Sequence, residues 1–378
     1  MEVLSMEFTS NRRKLQEALQ LVGGVAMLRT VKDALQSVYI DARPEGLILK
    51  ATDCEVGIEV RIPDVTVART GVVLLPAAHV MGIFRELSEP EVIVRSDGSG
   101  SEILSGRSRF RVVELDAGLF PGLPEFPGVL AGRVATADLV GMIRHVVFSS
   151  AEERTRYAFD GIKLEVCREE LRMVSTDGKR LSYYRMPHIQ QEEGMREALL
   201  PARALGHFGK ALVGEGVEAD LAVEGNRFGI RSQNVVLYCQ QIEGSFPNFL
   251  PLVEKELPHH VMLDAEELLR ALRRASVFAV AEARVVRLRL GAGNLNVRSN
   301  PVEQGEAETD VAVEYDGEPV ELAFNPDYLT DYLKLVGANR VRVDFKDEQT
   351  ASRWSVATTP SDEARKGELL YLVMPVTR

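Results

Sequence analysis

The 378-residue sequence predicts an α+β protein that repeats one unit three times, each unit made of two helices packed on antiparallel sheets. Three observations carry that reading. A proline-opened helical segment recurs at a fixed interval. A second helical segment recurs in step with it. The text between the helices alternates apolar and polar residues, as half-buried strands do.

The first recurring element reads LLPAAHVMGIFREL at 74–87, LLPARALGHFGKAL at 199–212 and AFNPDYLTDYLKLV at 323–336. Its prolines, Pro76, Pro201 and Pro326, are 125 residues apart both times. A proline fits the first helical turn because its missing N–H has no intrahelical partner there. Each is therefore expected to open a helix. Apolar residues follow at helical spacing: Val80, Phe84, Leu87; Leu205, Phe208, Leu212; Leu329, Leu333, Val336, with the phase slipping by one residue in the third copy. The second element begins near residues 9, 136 and 264, and Asp264 with Glu267 resembles a capping box. Strand pairs end in turns at LILKATD (47–53), LRMVSTD (171–177) and LNVRSNP (295–301). Two exits, VVELDAGLFPGLPEF (112–126) and CQQIEGSFPNFLPLV (239–253), place Phe120-Pro121 and Phe246-Pro247 126 residues apart. The Pro-rich stretches 119–128 and 246–258 read as junctions, which sets expected domains at 1–131, 132–257 and 258–378. VGIEVRI (56–62) and VRVDFKD (341–347) read as strands.

Composition narrows the function. The chain carries 45 Lys+Arg against 56 Asp+Glu, a net charge of −11, and is 45% hydrophobic, as globular proteins are. No apolar run approaches the roughly 18 residues of a membrane span. The N-terminus lacks an apolar signal core, so a cytoplasmic location is expected. Cys54, Cys167 and Cys239 are too scattered for a disulfide framework or a metal knuckle. The six expected helices hold 11 basic and 8 acidic residues, a net of +3, which leaves −14 for the rest. Helices facing one space would make it hospitable to phosphates while the outside repelled them.

Catalytic patterns are weak. His79, His145, His188, His207, His259 and His260 form no metal-binding pair. GSGSEILSG (98–106) lacks the third glycine of a dinucleotide loop, and HFGKAL (207–212) lacks the upstream glycine and the hydroxyl of a phosphate loop. The Asp-Gly of TDGKR is a turn signal. No cofactor, metal or catalytic residue is expected.

GRSRF (106–110), FPGLPEF (120–126), RYAFDGIKLE (156–165), STDGKRLS (175–182), EGSFPNFLPLV (243–253) and YLVMPVTR (371–378) resemble, in order and spacing, the bacterial DNA sliding clamps, the beta subunits of DNA polymerase III. The resemblance runs over essentially the whole chain, and Met6 matches the family's usual start. It implies three clamp domains and a head-to-tail homodimeric ring around duplex DNA, with helices lining the hole and no intrinsic catalysis. The implied partners are double-stranded DNA, the polymerase III catalytic subunit, the clamp loader, and other polymerases and repair proteins that dock short peptides.

The resemblance also implies three sets of residues. A partner-peptide pocket would take Phe159, Thr176, Gly178, Lys179, Arg180, Leu181, Pro247, Leu252, Leu372, Val373, Met374, Pro375 and Val376. DNA would be met by Arg29, Arg156, Tyr157 and Arg203, with Arg12, Arg13, Arg144 and Arg273 on the helices. The dimer contact would set Phe110 and Val112 against Val277 and Phe278, with Arg107 and Arg109 facing Glu303, Glu306 or Glu308. The chain departs from the family at Ala158 and Ala202, near the DNA set, and at Pro251 and Thr377-Arg378, near the pocket. A repeat-built peptide-binding scaffold, or a divergent paralogue that encircles no DNA, is the alternative reading.

Overall fold

The computed structural model describes residues 5–26, 30–151, 158–187, 196–212, 216–278, 284–300, 305–357 and 367–376. They fall into two compact units, one formed by 1–141 with 190–242 and the other by 142–189 with 243–378.

The first unit holds a five-stranded antiparallel sheet in the order Val65–Arg69, Met6–Asn11, Glu91–Ser96, Gly100–Ser105, Ser108–Val113. Its second sheet has eight strands: Leu130–Ala135, Glu218–Glu224, Arg227–Ser232, Val235–Gln240, Val56–Ile62, Gly46–Thr52, Ser37–Arg43 and Gly71–Pro76. The order shows how one repeat is joined to the next. Strand Val235–Gln240 of the second repeat pairs antiparallel with Val56–Ile62 of the first, Gly57 opposite Tyr238. Helix Arg12–Val25 lies on Val56–Ile62 and Gly46–Thr52, burying Leu15, Ala18, Leu19 and Val22. Each such Leu or Val contributes about 2 kcal/mol of apolar burial.

The second unit repeats the scheme. Its long sheet runs Gly161–Val166, Glu170–Thr176, Arg180–Pro187, Glu368–Val373, Ser352–Val356, Arg340–Phe345, His259–Asp264. Here Arg180–Pro187 of the second repeat pairs with Glu368–Val373 of the third, Leu181 opposite Leu372. A four-stranded sheet runs Glu308–Ala312, Asn294–Ser299, Val286–Gly291, Val320–Phe324. Helices Ala265–Ala275 and Pro326–Val336 close the core around the fully buried Trp354, Tyr332, Tyr371 and Phe324.

The α+β class and the recurring helices stand as expected, with one refinement at the prolines. Pro76 and Pro201 are N-caps with extended ψ of 116° and 128°, each ending the strand before its helix. Pro326 is instead the first helical residue, behind Asn325, whose side chain accepts the Asp327 N–H. That one-residue difference is the physical source of the phase slip in the third copy, whose apolar residues come one position sooner after the proline. The first helix is capped by Asn11, which accepts from the N–H groups of Arg13 and Lys14. Asp264 accepts the Glu267 N–H at 2.8 Å, half of the expected capping box.

Candidate functional site

The turn Thr176–Arg180 organises the predicted pocket. The Thr176 hydroxyl donates to the Arg180 carbonyl at 2.6 Å and accepts the Gly178 N–H at 3.0 Å. The Asp177 carboxylate accepts the N–H groups of Lys179 and Arg180, each at 2.9 Å. Gly178 sits at φ +88°, and a Cβ there would stand 3.0 Å from the Phe159 ring. Glycine fits on both counts.

Arg180 is a brace within this turn. Its side chain is 11% exposed and pairs with Asp177 at 3.0 Å and with Asp331 of helix Pro326–Val336 at 2.8 Å. Its guanidinium lies 4.5 Å from the centre of the Tyr328 ring. Burial disfavours the charge, but Tyr371, Asp331 and Asp177 outweigh it and push the Arg180 pKa up. Its charge is therefore committed within the chain, whereas Lys179 is exposed.

The other predicted pocket residues divide into floor and rim. Leu181, Leu372, Val373 and Pro375 are buried. Leu181 and Leu372 join Val174, Tyr183, Phe249 and Val253 in an apolar cluster flanked by Phe246, Leu250 and Leu370. Leu252, Met374 and Val376 are 51%, 43% and 41% exposed. Phe159 and Pro247 are half-buried. The tail is pinned at alternate residues, the Met374 N–H donating to Lys179 and the Val376 N–H to Ala323. Extended alternation thus sends Met374 and Val376 outward and Pro375 inward. The floor residues Phe246, Phe249, Leu250 and Val253 were missing from the expected set. Their signal was the apolar spacing of FPNFLPLV on the exit segment. Arg353 fixes that segment by donating to the carbonyls of Val253 and Lys255.

A wider cleft of about 1320 Å³ in the same unit is lined by His145, Glu170, Tyr184, Arg185, Arg342 and Glu368 among others. Arg185 pairs there with Glu368 at 2.6 Å. Its walls carry paired charge, and none of the predicted pocket residues lines it.

The residues assigned to DNA separate into groups. Arg29, Arg156 and Tyr157 lie outside the described residues. Arg144 and Arg273 are exposed on their helices and make no ion pair among the described residues. Arg13 pairs with Glu17 at 3.0 Å, and Arg12 donates to Gln16 at 2.7 Å. Arg203 is half-exposed and binds Asp53 at 2.6 Å and Glu55 at 3.3 Å, so its charge is shared with the turn of the first repeat. Spacing alone could not reveal this, because the partners are about 150 residues away.

Of the residues expected at a dimer contact, Arg109, Phe110 and Val112 lie on an edge strand, whereas Val277 and Phe278 lie on the short helical turn Ser276–Phe278. Ser108–Val113 is the last strand of the five-stranded sheet, and Glu308–Ala312 the last of the four-stranded one. The first edge exposes Arg107, Arg109 and Arg111; the second exposes Glu306, Glu308 and Asp310. Arg109 already contacts Glu102, and Arg111 pairs with Asp97 at 2.7 Å. Val112 is corrected: it is 5% exposed and belongs to the core, while its neighbour Val113 is 73% exposed. Adjacent strand residues face opposite ways, which separates them. Val277 is 74% exposed and Phe110 half-buried. Phe278 is half-buried and lies against Gly305 of its own chain. Glu303 lies outside the described residues.

No group of three or more His, Cys, Asp or Glu side chains among the described residues could hold a metal ion, and no helix among them is long and apolar enough to cross a membrane. Comparison with known proteins places the architecture. The N-terminal, central and C-terminal domain descriptions of the DNA polymerase III beta subunit match residues 6–124, 133–248 and 251–374. The chain is 29% identical over 372 residues to the beta sliding clamp of Pseudomonas putida, covering 98% of this chain and 100% of that one. It is 28% identical over 372 residues to the beta sliding clamp of Escherichia coli K12, again covering 98% and 100%. The crystal structure of the Pseudomonas aeruginosa sliding clamp bound to griselimycin superposes with a TM-score of 0.90 at 28% identity, covering 99% of this chain and 100% of that one. With all three domains of one subunit matched in order, the chain belongs to the DNA polymerase III beta subunit family, the non-catalytic sliding clamps of DNA replication.

Proposed function

We propose that the chain works in the cytoplasm as a head-to-tail homodimer of three-domain protomers, with boundaries 1–131, 132–257 and 258–378, closed around duplex DNA. In this reading the exposed helix cations, Arg13, Arg144 and Arg273, make weak, exchangeable phosphate contacts that carry no base information. Weak contacts suit a sliding ring, because enclosure replaces affinity. The open edge with Arg107, Arg109 and Arg111 joins the partner's edge with Glu306, Glu308 and Asp310, and Val113 and Val277 supply apolar contact beside it. Joining two edges also removes an aggregation liability.

The observation that carries the tethering role is the apolar floor of Leu181, Phe249 and Leu372 beneath the exposed Leu252, Met374 and Val376. Such a groove accepts a short extended peptide, and Met tolerates varied guests. The replicative polymerase, the clamp loader, and other polymerases and repair proteins would share it. In the test, Leu252→Asp with Met374→Asp lowers polymerase stimulation on long primed templates by about tenfold or more, equivalent to about 1.4 kcal/mol of docking. Small-angle scattering of the same variant still reports a hollow dimer of 41.8 kDa protomers. Full stimulation by the variant would overturn the pocket assignment. A monomer of the unaltered chain at every concentration would overturn the ring.

A further inference from the structure

The pocket turn has a double in the first unit, and beside it lies a cleft of about 420 Å³. The Thr52 hydroxyl donates to the Val56 carbonyl at 2.7 Å and accepts the Cys54 N–H at 3.0 Å. Asp53 accepts the N–H groups of Glu55 and Val56 at 2.9 and 2.7 Å. Cys54 takes φ +76°, the conformation of Gly178. The Gln240 N–H donates to the Glu55 carbonyl at 3.0 Å, as Met374 does to Lys179 at 2.8 Å. The second turn is thus reproduced bond for bond.

The cleft beside this turn is lined by Pro121, Leu123, Pro124, Phe228, Tyr238 and the turn itself. Gly57 stands where the second pocket has Leu181. A Cβ on Gly57 would meet Leu123 at 2.6 Å, so the glycine is what lets Leu123 lie down on the sheet. The volume falls within the roughly 300–1,000 Å³ of ligand sites. The charge at the mouth is reversed. Glu55, paired with Arg203 at 3.3 Å, and Glu125 occupy the places of Lys179 and Pro251, and it is Glu125 that is exposed with no ion pair among the described residues. Arg227 also lines the cleft but is paired with Glu224 at 3.2 Å.

We propose that this cleft is a second docking site, and that its occupant is a short extended peptide with apolar anchors flanked by lysine or arginine. The inference borrows its docking chemistry from the reading of the second pocket, and its test separates the two. Cys54 is exposed at the mouth, while Cys239 is buried and Cys167 half-buried, so Cys54 reports occupancy. The full-length protein is alkylated with limiting iodoacetamide and mapped by mass spectrometry. The probe is a Gly/Ser peptide carrying a Leu-Leu pair flanked by lysines. Near saturation it slows Cys54 alkylation by about tenfold. The same protection appears in the Leu252→Asp/Met374→Asp variant, in which the pocket beside Thr176–Arg180 is spoiled and this cleft is untouched. The glutamate version of the probe protects only after Glu125→Lys, a change at an exposed position. An unchanged Cys54 rate with the lysine peptide overturns the proposal, as does protection that disappears in the double variant. Equal protection of the unaltered protein by both peptides overturns the charge assignment.

Discussion

The two junctions neutralise the same turn carboxylate from opposite sides. At the first, Asp53 is held by Arg203, which reaches in from the helix of the following repeat. At the second, Asp177 is held by Arg180 from its own turn, and that guanidinium continues to Asp331 on the following helix. The Arg203 side chain is 49% exposed and that of Arg180 is 11% exposed. The turn geometry therefore constrains the carboxylate and leaves open which element supplies its cation. The rim beside each turn differs accordingly, acidic in one and apolar with a lysine in the other.

The largest expected effect is an asymmetry in stability. Arg180→Ala leaves two carboxylates unpaired and strips the Tyr328 ring of its cation, costing about 2–4 kcal/mol. Arg203→Ala removes a half-exposed guanidinium from Asp53, which is itself only 4% exposed but keeps the N–H groups of Glu55 and Val56, and costs about 1 kcal/mol or less. Urea unfolding of the two variants measures the difference, and equal losses would erase the contrast.

A smaller effect sharpens the comparison of the turns themselves. Gly178→Cys forces a side chain into the left-handed region and against Phe159, costing about 1–2 kcal/mol. The reverse change, Cys54→Gly, relieves that strain but loosens the unfolded chain, for a net gain of about 0.5 kcal/mol. A loss of stability on Cys54→Gly in the same urea assay would mean that the Cys54 side chain contributes packing beyond the turn geometry.

The smallest effect is acid sensitivity confined to the first unit. Burial, with the charges of Lys210 and Arg203 close by, holds His207 below its ordinary value of 6.5 despite Asp53. Once pH falls through 6.5, the unfolded chain takes up a proton that the folded imidazole refuses, and stability drops. At the matching helical position in the third repeat, six residues after the N-cap, stands Asp331, which pairs with Arg180, so no imidazole sits there. Between about pH 7.5 and about pH 5.5, hydrogen exchange in helix Ala202–Ala211 should accelerate, and His207→Gln should remove part of the change, under about 1 kcal/mol. Equal acceleration in helix Pro326–Val336 would remove the distinction.

Much of this architecture was legible because its signals are local. Proline before a helical spacing, an N-cap three residues ahead of a glutamate, and Phe-Pro at each exit announce elements within a few residues. The expected groove set named the turn and the tail that the fold brings together, but not Phe246, Phe249, Leu250 and Val253, which pack there from an exit segment whose partners are remote. Val112 and Val113 show a limit of another kind. Both are valines on one strand, and only the sheet register decides which of them is buried.

By itself the sequence determined the repeat, the helices and the turns, since these follow from steric and hydrogen-bonding rules acting over short stretches, whereas the left-handed backbone of Cys54 appears only in the fold. Only the tertiary structure decided where the charges go. Arg180 and its partner Asp331 are 151 residues apart. Arg203 and Glu55 are 148 residues apart. With 45 cations and 56 anions in the chain, attraction alone selects no pair. The backbone must first bring a particular guanidinium within hydrogen-bonding reach of a particular carboxylate, and only folding does that.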